Sequence, residues 1–143
     1  MALTAGINLY RRGAANGRAD FGYPVAPGEQ IWRGGIVCVN SSGQLQRLQT
    51  SGSVALAGIA QQDYAPNSTV GAGQAGSVVT AMKGCWALTV PSATYSNIGA
   101  PVYATDDNTC QLTAPTSGFE QAIGTLAGID QATGQTYVLM AGS

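Results

Sequence analysis

From residue 23 onward, apolar residues fall in short runs separated by polar and turn-forming residues. The runs are rich in Val, Ile, Leu, Thr and Tyr, and the breaks are rich in Gly, Asn, Ser, Asp and Pro. This spacing is typical of β-sandwiches and barrels, and no stretch of helical length shows the period of a helix. The pattern predicts strands at residues 30–32, 36–39, 45–48, 54–61, 77–82, 85–90, 101–103, 110–113, 121–129 and 136–140. We therefore predict an all-β fold, a jelly-roll-like β-sandwich or barrel, in a single domain of residues 23–143.

Residues 1–22 have no such pattern. Ala14 and Ala15 would suit a helical turn, but Gly13 and Gly17 flank them, and glycine weakens helices. Segments near a chain end that lack a period are usually ordered only when a partner holds them. We predict that residues 1–22 form an extended N-terminal arm.

The strand pattern contains an internal echo. A hairpin and a following strand within residues 35–61 resemble those within residues 100–131. The offsets between matching residues are 65 at Val37/Val102, 67 at Leu45/Leu112 and 70 at Leu56/Leu126. We predict two similar units packed face to face or in one barrel, while chance similarity between Ala/Gly-rich strands remains the alternative.

The composition excludes several functions. Charged residues make up 9% of the chain, against about 25% in ordinary globular proteins. Histidine is absent, which excludes Ser-His-Asp and Cys-His catalysis and histidine-ligated metals. Six basic residues and a net charge of -1 do not supply the positive surface that nucleic-acid binding needs. No apolar run approaches the length of a membrane span, and the first residues lack the order of a signal peptide.

Cys38, Cys85 and Cys110 are odd in number and far apart in sequence. They form no CxxC pair, so they predict neither a disulfide framework nor a zinc site. Small apolar side chains buried in strands are the expected role of such cysteines. Unpaired cysteines suit a reducing compartment.

Two further motifs are better explained as loops than as chemical sites. Residues 71–76 have the letters GxGxxG, but a strand and not a helix is predicted after them, so we predict no dinucleotide site. Asp106 and Asp107 are adjacent and have no third acidic residue near them in sequence. We interpret them as a hairpin turn. The chain is predicted to hold no cofactor and no metal, and to be no enzyme.

Concentrated interaction chemistry is found only near the start of the chain. Arginine and aromatic residues are the types enriched in interface hot spots. The predicted partner-interface residues are Tyr10, Arg11, Arg12, Arg18, Phe21, Trp32 and Arg33. Because interface cores are depleted in charge, the low charge of the whole chain also favours a protein packed against copies of itself or a larger body.

The order of short motifs from Val25 onward resembles the capsid cement, or head decoration, proteins of tailed bacteriophages. The most specific part is a strand that runs through Gly84 and is followed by Gly-x-Pro-Val-Tyr at 99–103. The matching segments are the turn 26–28, the strands 34–37 and 57–60, the stretch 78–91, the segment 99–103, the acidic turn 106–107, and the strands 123–124 and 137–140. Residues 1–22 have no counterpart in this pattern.

The resemblance implies an all-β protein without catalysis that binds the outside of an icosahedral shell as a homodimer or homotrimer. Its expected partners are the major capsid protein and copies of itself, with no nucleic acid and no membrane. Its expected location is the capsid exterior of a virion assembled in the host cytoplasm. On this hypothesis, residues 1–33 contact the capsid or a sister copy.

Two alternatives stay open at this point. One is a β-structural module of a phage tail, baseplate or fibre, since those share the Gly/Thr/Ala-rich all-β composition. The other is a carbohydrate-binding β-sandwich, which needs an exposed platform of aromatic side chains. The available donors for such a platform are Trp32, Tyr64, Trp86, Tyr95 and Tyr103. Trp86, in mid-strand between Cys85 and Ala87, is expected instead to be buried or at an interface.

Overall fold

The computed structural model describes residues 1–7, 9, 20–65 and 78–140. This part of the chain is built of strands and one short 3₁₀ turn at Tyr95–Asn97. The strands are β1 Asp20–Pro24, β2 Ile36–Val39, β3 Leu45–Arg47, β4 Ala55–Ala60, β5 Val78–Met82, β6 Cys85–Ala87, β7 Pro101–Ala104, β8 Cys110–Gln111, β9 Gly124–Ile129 and β10 Thr136–Leu139. The all-β prediction is confirmed.

The strands form two five-stranded sheets, and every strand pair is antiparallel. Sheet 1 has the order β1-β5-β4-β2-β3, and sheet 2 has the order β6-β10-β9-β7-β8. One hydrophobic core contains buried residues from both sheets. The fold is therefore a β-sandwich.

The strand β1 was not predicted, and it crosses the expected boundary between arm and domain. Its residues Asp20–Pro24 pair with Val78–Met82 at the edge of sheet 1. The sequence pattern does not reveal it because Gly22 and Pro24 are poor strand formers, and proline is tolerated only at edges or strand ends. The boundary between residues 22 and 23 falls inside this strand.

Sheet 2 repeats the order of sheet 1 with each strand number raised by five. The first repeat is β1–β5, the second is β6–β10, and only Lys83 and Gly84 join them. Individual hydrogen bonds recur as well: the Gly34 N–H donates to the Ala60 carbonyl at 2.9 Å, and the Gly99 N–H donates to the Leu126 carbonyl at 2.8 Å. Both glycines have positive φ, 86° and 87°. The prediction of two similar units is confirmed.

The equivalent residues are not all those predicted from the sequence echo. Cross-strand pairing makes Phe21 equivalent to Trp86, Leu45 to Cys110, Ile59 to Thr125, Ala60 to Leu126 and Met82 to Leu139. The predicted matches of Leu45 with Leu112 and of Leu56 with Leu126 are therefore wrong. Register depends on backbone pairing and turn length, whereas the shared Leu-Ala-Gly-Ile letters reflect strand composition.

Sheet 1 is buried on both faces. One face carries Ile36, Cys38 and Ile59, which belong to the core between the sheets. The opposite face carries small apolar residues such as Ala60 and Ala81. Two fully buried residues of the β1–β2 connection cover this second face; they are Val25 and Ile31.

Among the described residues, sheet 2 contributes one face to a buried core, through Val102, Leu126 and Val138. We call the opposite side the outer face of sheet 2. Its residues are Cys85, Ala87, Pro101, Tyr103, Gln111, Thr125, Gly128, Tyr137 and Leu139. Several are equivalent to residues of sheet 1 that pack between the sheets: Pro101 to Ile36, Tyr103 to Cys38, Thr125 to Ile59 and Leu139 to Met82. The two sheets therefore do not pack through equivalent faces. The inner face of sheet 2 packs against one face of sheet 1, and the equivalent of that face in the second repeat is the outer face of sheet 2.

The buried thiols predict a loss of stability at high pH. Burial raises the pKa of Cys38 to about 12 and that of Cys110 to about 12, against 9.0 for an ordinary thiol. The folded state therefore binds these protons more tightly than the unfolded chain, and this contribution is complete below about pH 9 and lost between about pH 9 and 12. We expect the free energy of unfolding, measured in urea, to fall by about 2–3 kcal/mol between about pH 8 and pH 10.

The matched control is the double variant Cys38→Ala/Cys110→Ala. Its stability at about pH 8 is lower, since both side chains are buried, but its further decline toward pH 10 is expected to be smaller than that of the wild type. An equal decline in both proteins would assign the pH dependence to other groups.

Candidate interaction surface

The first residues of the chain lie against the body in the described part of the structure. The Leu3 N–H donates to Asp107 Oδ1 at 2.9 Å, and the Leu3 carbonyl accepts from Arg47 Nη2 at 2.8 Å. The amino group of Met1 contacts the Thr109 hydroxyl and lies 3.8 Å from Asp106 Oδ2. Side chains of both repeats therefore hold residues 1–3.

A second set of contacts holds the segment at Ile7. Its N–H donates to the Arg33 carbonyl at 2.8 Å, and its carbonyl accepts from Arg33 Nε at 3.2 Å. Gly34 lies so close to Ile7 that a Cβ at that position would overlap the isoleucine side chain. For residues 1–7 the prediction of an extended arm is not confirmed, because the residues that hold them are distant in sequence and invisible to a local pattern.

Asp107 does more than form a turn. Its carboxylate is 1% exposed and accepts from Arg47 Nε at 2.9 Å through Oδ2, while Oδ1 accepts from Leu3. Its backbone N–H donates to Gln49 Oε1 at 3.0 Å, and its carbonyl accepts from the Ile36 N–H at 2.9 Å. Asp107 thus joins the N-terminal segment, the first repeat and the second repeat. The predicted turn role applies to Asp106, whose Oδ1 accepts from the Asn108 N–H at 2.8 Å.

The predicted interface residues differ in their exposure and in whether the structure describes them. Tyr10, Arg11, Arg12 and Arg18, and the 71–76 motif as well, lie outside the described residues. Trp32 and Arg33 are half-buried, and Arg33 is engaged within the molecule by Ile7 and by Asp63, whose Oδ1 accepts from the Arg33 N–H at 2.8 Å. Phe21 is 60% exposed. The structure therefore leaves Phe21 as the accessible member of the predicted set among its described residues.

Phe21 is exposed where the equivalent residue of the second repeat is buried. Trp86 occupies the same place in sheet 2 and is 4% exposed, within the core between the sheets. Trp86 also lines a cavity of about 140 Å³ together with Ile7, Leu9 and Ile59. Sheet 1 and the N-terminal segment thus cover the aromatic side chain of the second repeat, whereas the aromatic side chain of the first repeat points to solvent.

The edge of sheet 1 around Phe21 is apolar on both of its faces. Val78 of β5 pairs with Pro24 of β1 and is 46% exposed, on the side opposite to Phe21. We call Phe21, Gly22, Pro24 and Val78 the β1 edge. Natural proteins usually protect an edge strand with charged side chains or proline, or cover it. Here β1 begins with Asp20 and ends with Pro24, and the four residues of the β1 edge carry no charge.

The aromatic residues proposed for a glycan platform have different surroundings. Trp86 is buried, as expected for its mid-strand position, and is excluded as a platform residue. Tyr95 is 62% exposed in the 3₁₀ turn between β6 and β7. Tyr103 is half-buried on the outer face of sheet 2, and Trp32 and Tyr64 are half-buried near the connection that covers sheet 1. These positions belong to three different elements of the fold.

Among the described residues, no group of three or more His, Cys, Asp or Glu side chains could hold a metal ion. In the same part of the chain, no helix is long and apolar enough to cross a membrane. Comparisons of the sequence and structure with protein-family models, curated proteins and solved structures found no match.

Proposed function

We propose that this protein is a capsid cement protein that binds the outer surface of a tailed-phage head and holds neighbouring major capsid subunits together. Cementing requires many modest contacts and no general acid, metal or cofactor. A protein that binds only the assembled shell stabilises it by mass action. The motif order from Val25 onward, which resembles that of head decoration proteins, supports the proposal.

The observation that carries the proposal is the exposure of Phe21 at the uncharged β1 edge. A 60% exposed phenylalanine offers apolar surface to a partner, and β1 is the outermost strand of sheet 1 among the described strands. A shell subunit that contacts this edge buries that surface. The buried state of Trp86 illustrates, within the same molecule, how such an aromatic residue is covered by an apolar sheet.

The edge also suggests how binding occurs. An extended segment of the shell can add to an open strand edge through backbone hydrogen bonds, with a side-chain pocket giving specificity. The arginines that precede β1 in sequence, Arg11, Arg12 and Arg18, would add charge-assisted hydrogen bonds to shell carboxylates. A preformed sheet keeps the ordering cost of this binding low.

Phe21→Ser tests the proposal without disturbing the N-terminal contacts. Deletion of residues 1–18 would also remove Leu3 and Ile7, whose contacts to Asp107, Arg47 and Arg33 support the fold. Heads are purified from phage that carry the gene, stripped of this protein, and titrated with recombinant protein. We expect Phe21→Ser to weaken binding about 10–30-fold, as for loss of an interface hot spot.

Tyr95→Ser is the matched control, since Tyr95 has similar exposure, 62%, but lies in the turn between β6 and β7. It should bind heads as the wild type does, and both variants should unfold at wild-type temperature. Equal binding by Phe21→Ser and wild type would contradict the assignment of the β1 edge. Cryo-electron microscopy that locates the protein in tails and not on heads would favour the tail-module alternative.

A further inference from the structure

A groove of about 490 Å³ lies where the chain passes from the first repeat to the second. Its lining comes from Ala55 and Leu56 at the start of β4, from residues 121–125 that lead into β9, and from Pro101 of β7. Lys83, in the two-residue link between the repeats, completes the lining. A volume of this size is usual for ligand sites in proteins. The groove therefore has room for a bound molecule, and residues of both repeats form it.

The start of β4 offers backbone to a further strand. Ala55 and Leu56 pair with β2 on one side, whereas the pairing of β4 with β5 begins only at Ile59. Beyond that pair the chain leaves the sheet through Lys83. On the side of β5, none of the described strands therefore pairs with Ala55 or Leu56. An extended peptide can add to a strand edge of this kind through backbone hydrogen bonds.

Lys83 supplies the charge of the groove. It is the charged side chain among the described residues that line it, and the ion pairs found within the described residues do not include it. Glu120 lies next to the lining in sequence, but it is not part of the lining itself. The neighbours of Lys83 in the groove include the apolar side chains of Leu56 and Ile123. An ammonium group beside apolar surface is complementary to a ligand that carries both a carboxylate and alkyl groups.

We propose that this groove binds an extended peptide of a partner protein, in which an acidic side chain lies among apolar ones. The carboxylate pairs with Lys83, the apolar side chains cover Leu56 and Ile123, and the backbone adds to β4 at Ala55 and Leu56. A small carboxylic acid would use the charge of the groove but not its strand edge, so a peptide fits both features. The site does not depend on the shell-binding proposal, because none of its residues belongs to the β1 edge.

Titration of the isotope-labelled full chain, followed by NMR, tests the site. The probe is the acetylated and amidated peptide Thr-Val-Glu-Val-Thr, and its control is the same peptide with glutamine in place of glutamate. We expect the acidic peptide to shift the amide signals of Leu56, Gly124 and Thr125. It should bind about five-fold more tightly than the control peptide, as for a partly exposed ion pair. Lys83→Met should abolish the difference between the two peptides, and Lys83→Arg should preserve it.

Further variants separate the groove from a general effect of charge. Ala122→Lys adds a second cation to the lining and should tighten binding of the acidic peptide. Thr116→Lys adds the same charge in the exposed loop after β8 and should bind as the wild type does. Thermal melts should show that all variants are folded.

Four outcomes would overturn the proposal. The first is equal binding of the two peptides to the wild type, and the second is an unchanged difference between them in Lys83→Met. The third is an equal shift of the same signals by sodium acetate at the same concentration, which would assign the groove to a simple anion. The fourth is a shift of these signals on raising the protein concentration without peptide, which would assign the groove to a second copy.

Discussion

Replacing Asp107 with asparagine is expected to lower the free energy of unfolding by about 3–5 kcal/mol, the usual cost of breaking a buried ion pair. The carboxylate accepts from Arg47 Nε and from the Leu3 N–H, both at 2.9 Å. An asparagine amide would turn an N–H group toward one of these donors and leave Arg47 without its counter-charge. The loss should lie near the lower value, because the Arg47 side chain keeps 21% exposure.

Urea unfolding measures this loss, and Asp106→Asn is the control in the adjacent position. Asp106 is partly exposed, bonds to Asn108 and Thr109, and lies 3.8 Å from the 93% exposed Met1 amino group. Because surface ion pairs contribute little, its replacement should cost no more than about 1 kcal/mol. Arg47→Met combined with Asp107→Asn should cost less than the two single changes together, because neither charge is then buried alone. Equal effects at positions 106 and 107 would contradict the role of Asp107 as the joint between the repeats.

The second large effect is expected at two equivalent glycines, Gly58 and Gly124. A Cβ at Gly58 would lie 2.6 Å from the Met82 carbonyl oxygen, and a Cβ at Gly124 would overlap the Leu139 carbonyl oxygen. Because the obstacle is backbone in both places, a strand must move to admit a methyl group. Gly58 also has a φ of 133°, which L residues rarely adopt. We expect each change to alanine to cost at least about 2 kcal/mol.

Gly128→Ala is the control on the same strand as Gly124. A Cβ there meets nothing within 4 Å, so its effect on urea unfolding should stay within about 0.5 kcal/mol. If all three alanine variants were equally stable, the close approach of β4 to β5 and of β9 to β10 would not limit side-chain size. The proposal that Gly58 and Gly124 are required for the same close strand approach in each repeat would then be contradicted.

The two sheets of the duplicated fold have different surroundings. The first repeat is closed on one face by the connection that carries Val25 and Ile31, and on the other by sheet 2. Among the described residues, Leu139 is 44% exposed on the outer face of sheet 2, and Phe21 is 60% exposed at the β1 edge. The β1 edge is the place where we propose that the protein meets the shell.

Local pattern and composition were sufficient for the fold class. The β2 strand at Ile36–Val39 lies where the pattern predicts it, and β9 and β10 differ from prediction only at their ends. Strand periodicity is a local property, so alternating apolar residues and turn formers reveal it directly. The existence of a repeat was likewise visible from Val37 and Val102, which are equivalent and fully or nearly fully buried.

Pairing across the chain was decided only by the tertiary structure. The sequence does not show that Asp20–Pro24 forms an edge strand, that Arg47 meets Asp107, or that Arg33 is engaged by Ile7. Residues with the same letters, such as Leu56 and Leu126, proved not to be equivalent, because register depends on backbone hydrogen bonds and close approach at Gly58 and Gly124. The sequence by itself determined the fold class and the approximate positions of β2 to β10, since strand formation there follows a local pattern. The folded chain decided which strand faces become core and which remain open, since burial depends on what another part of the chain brings against them.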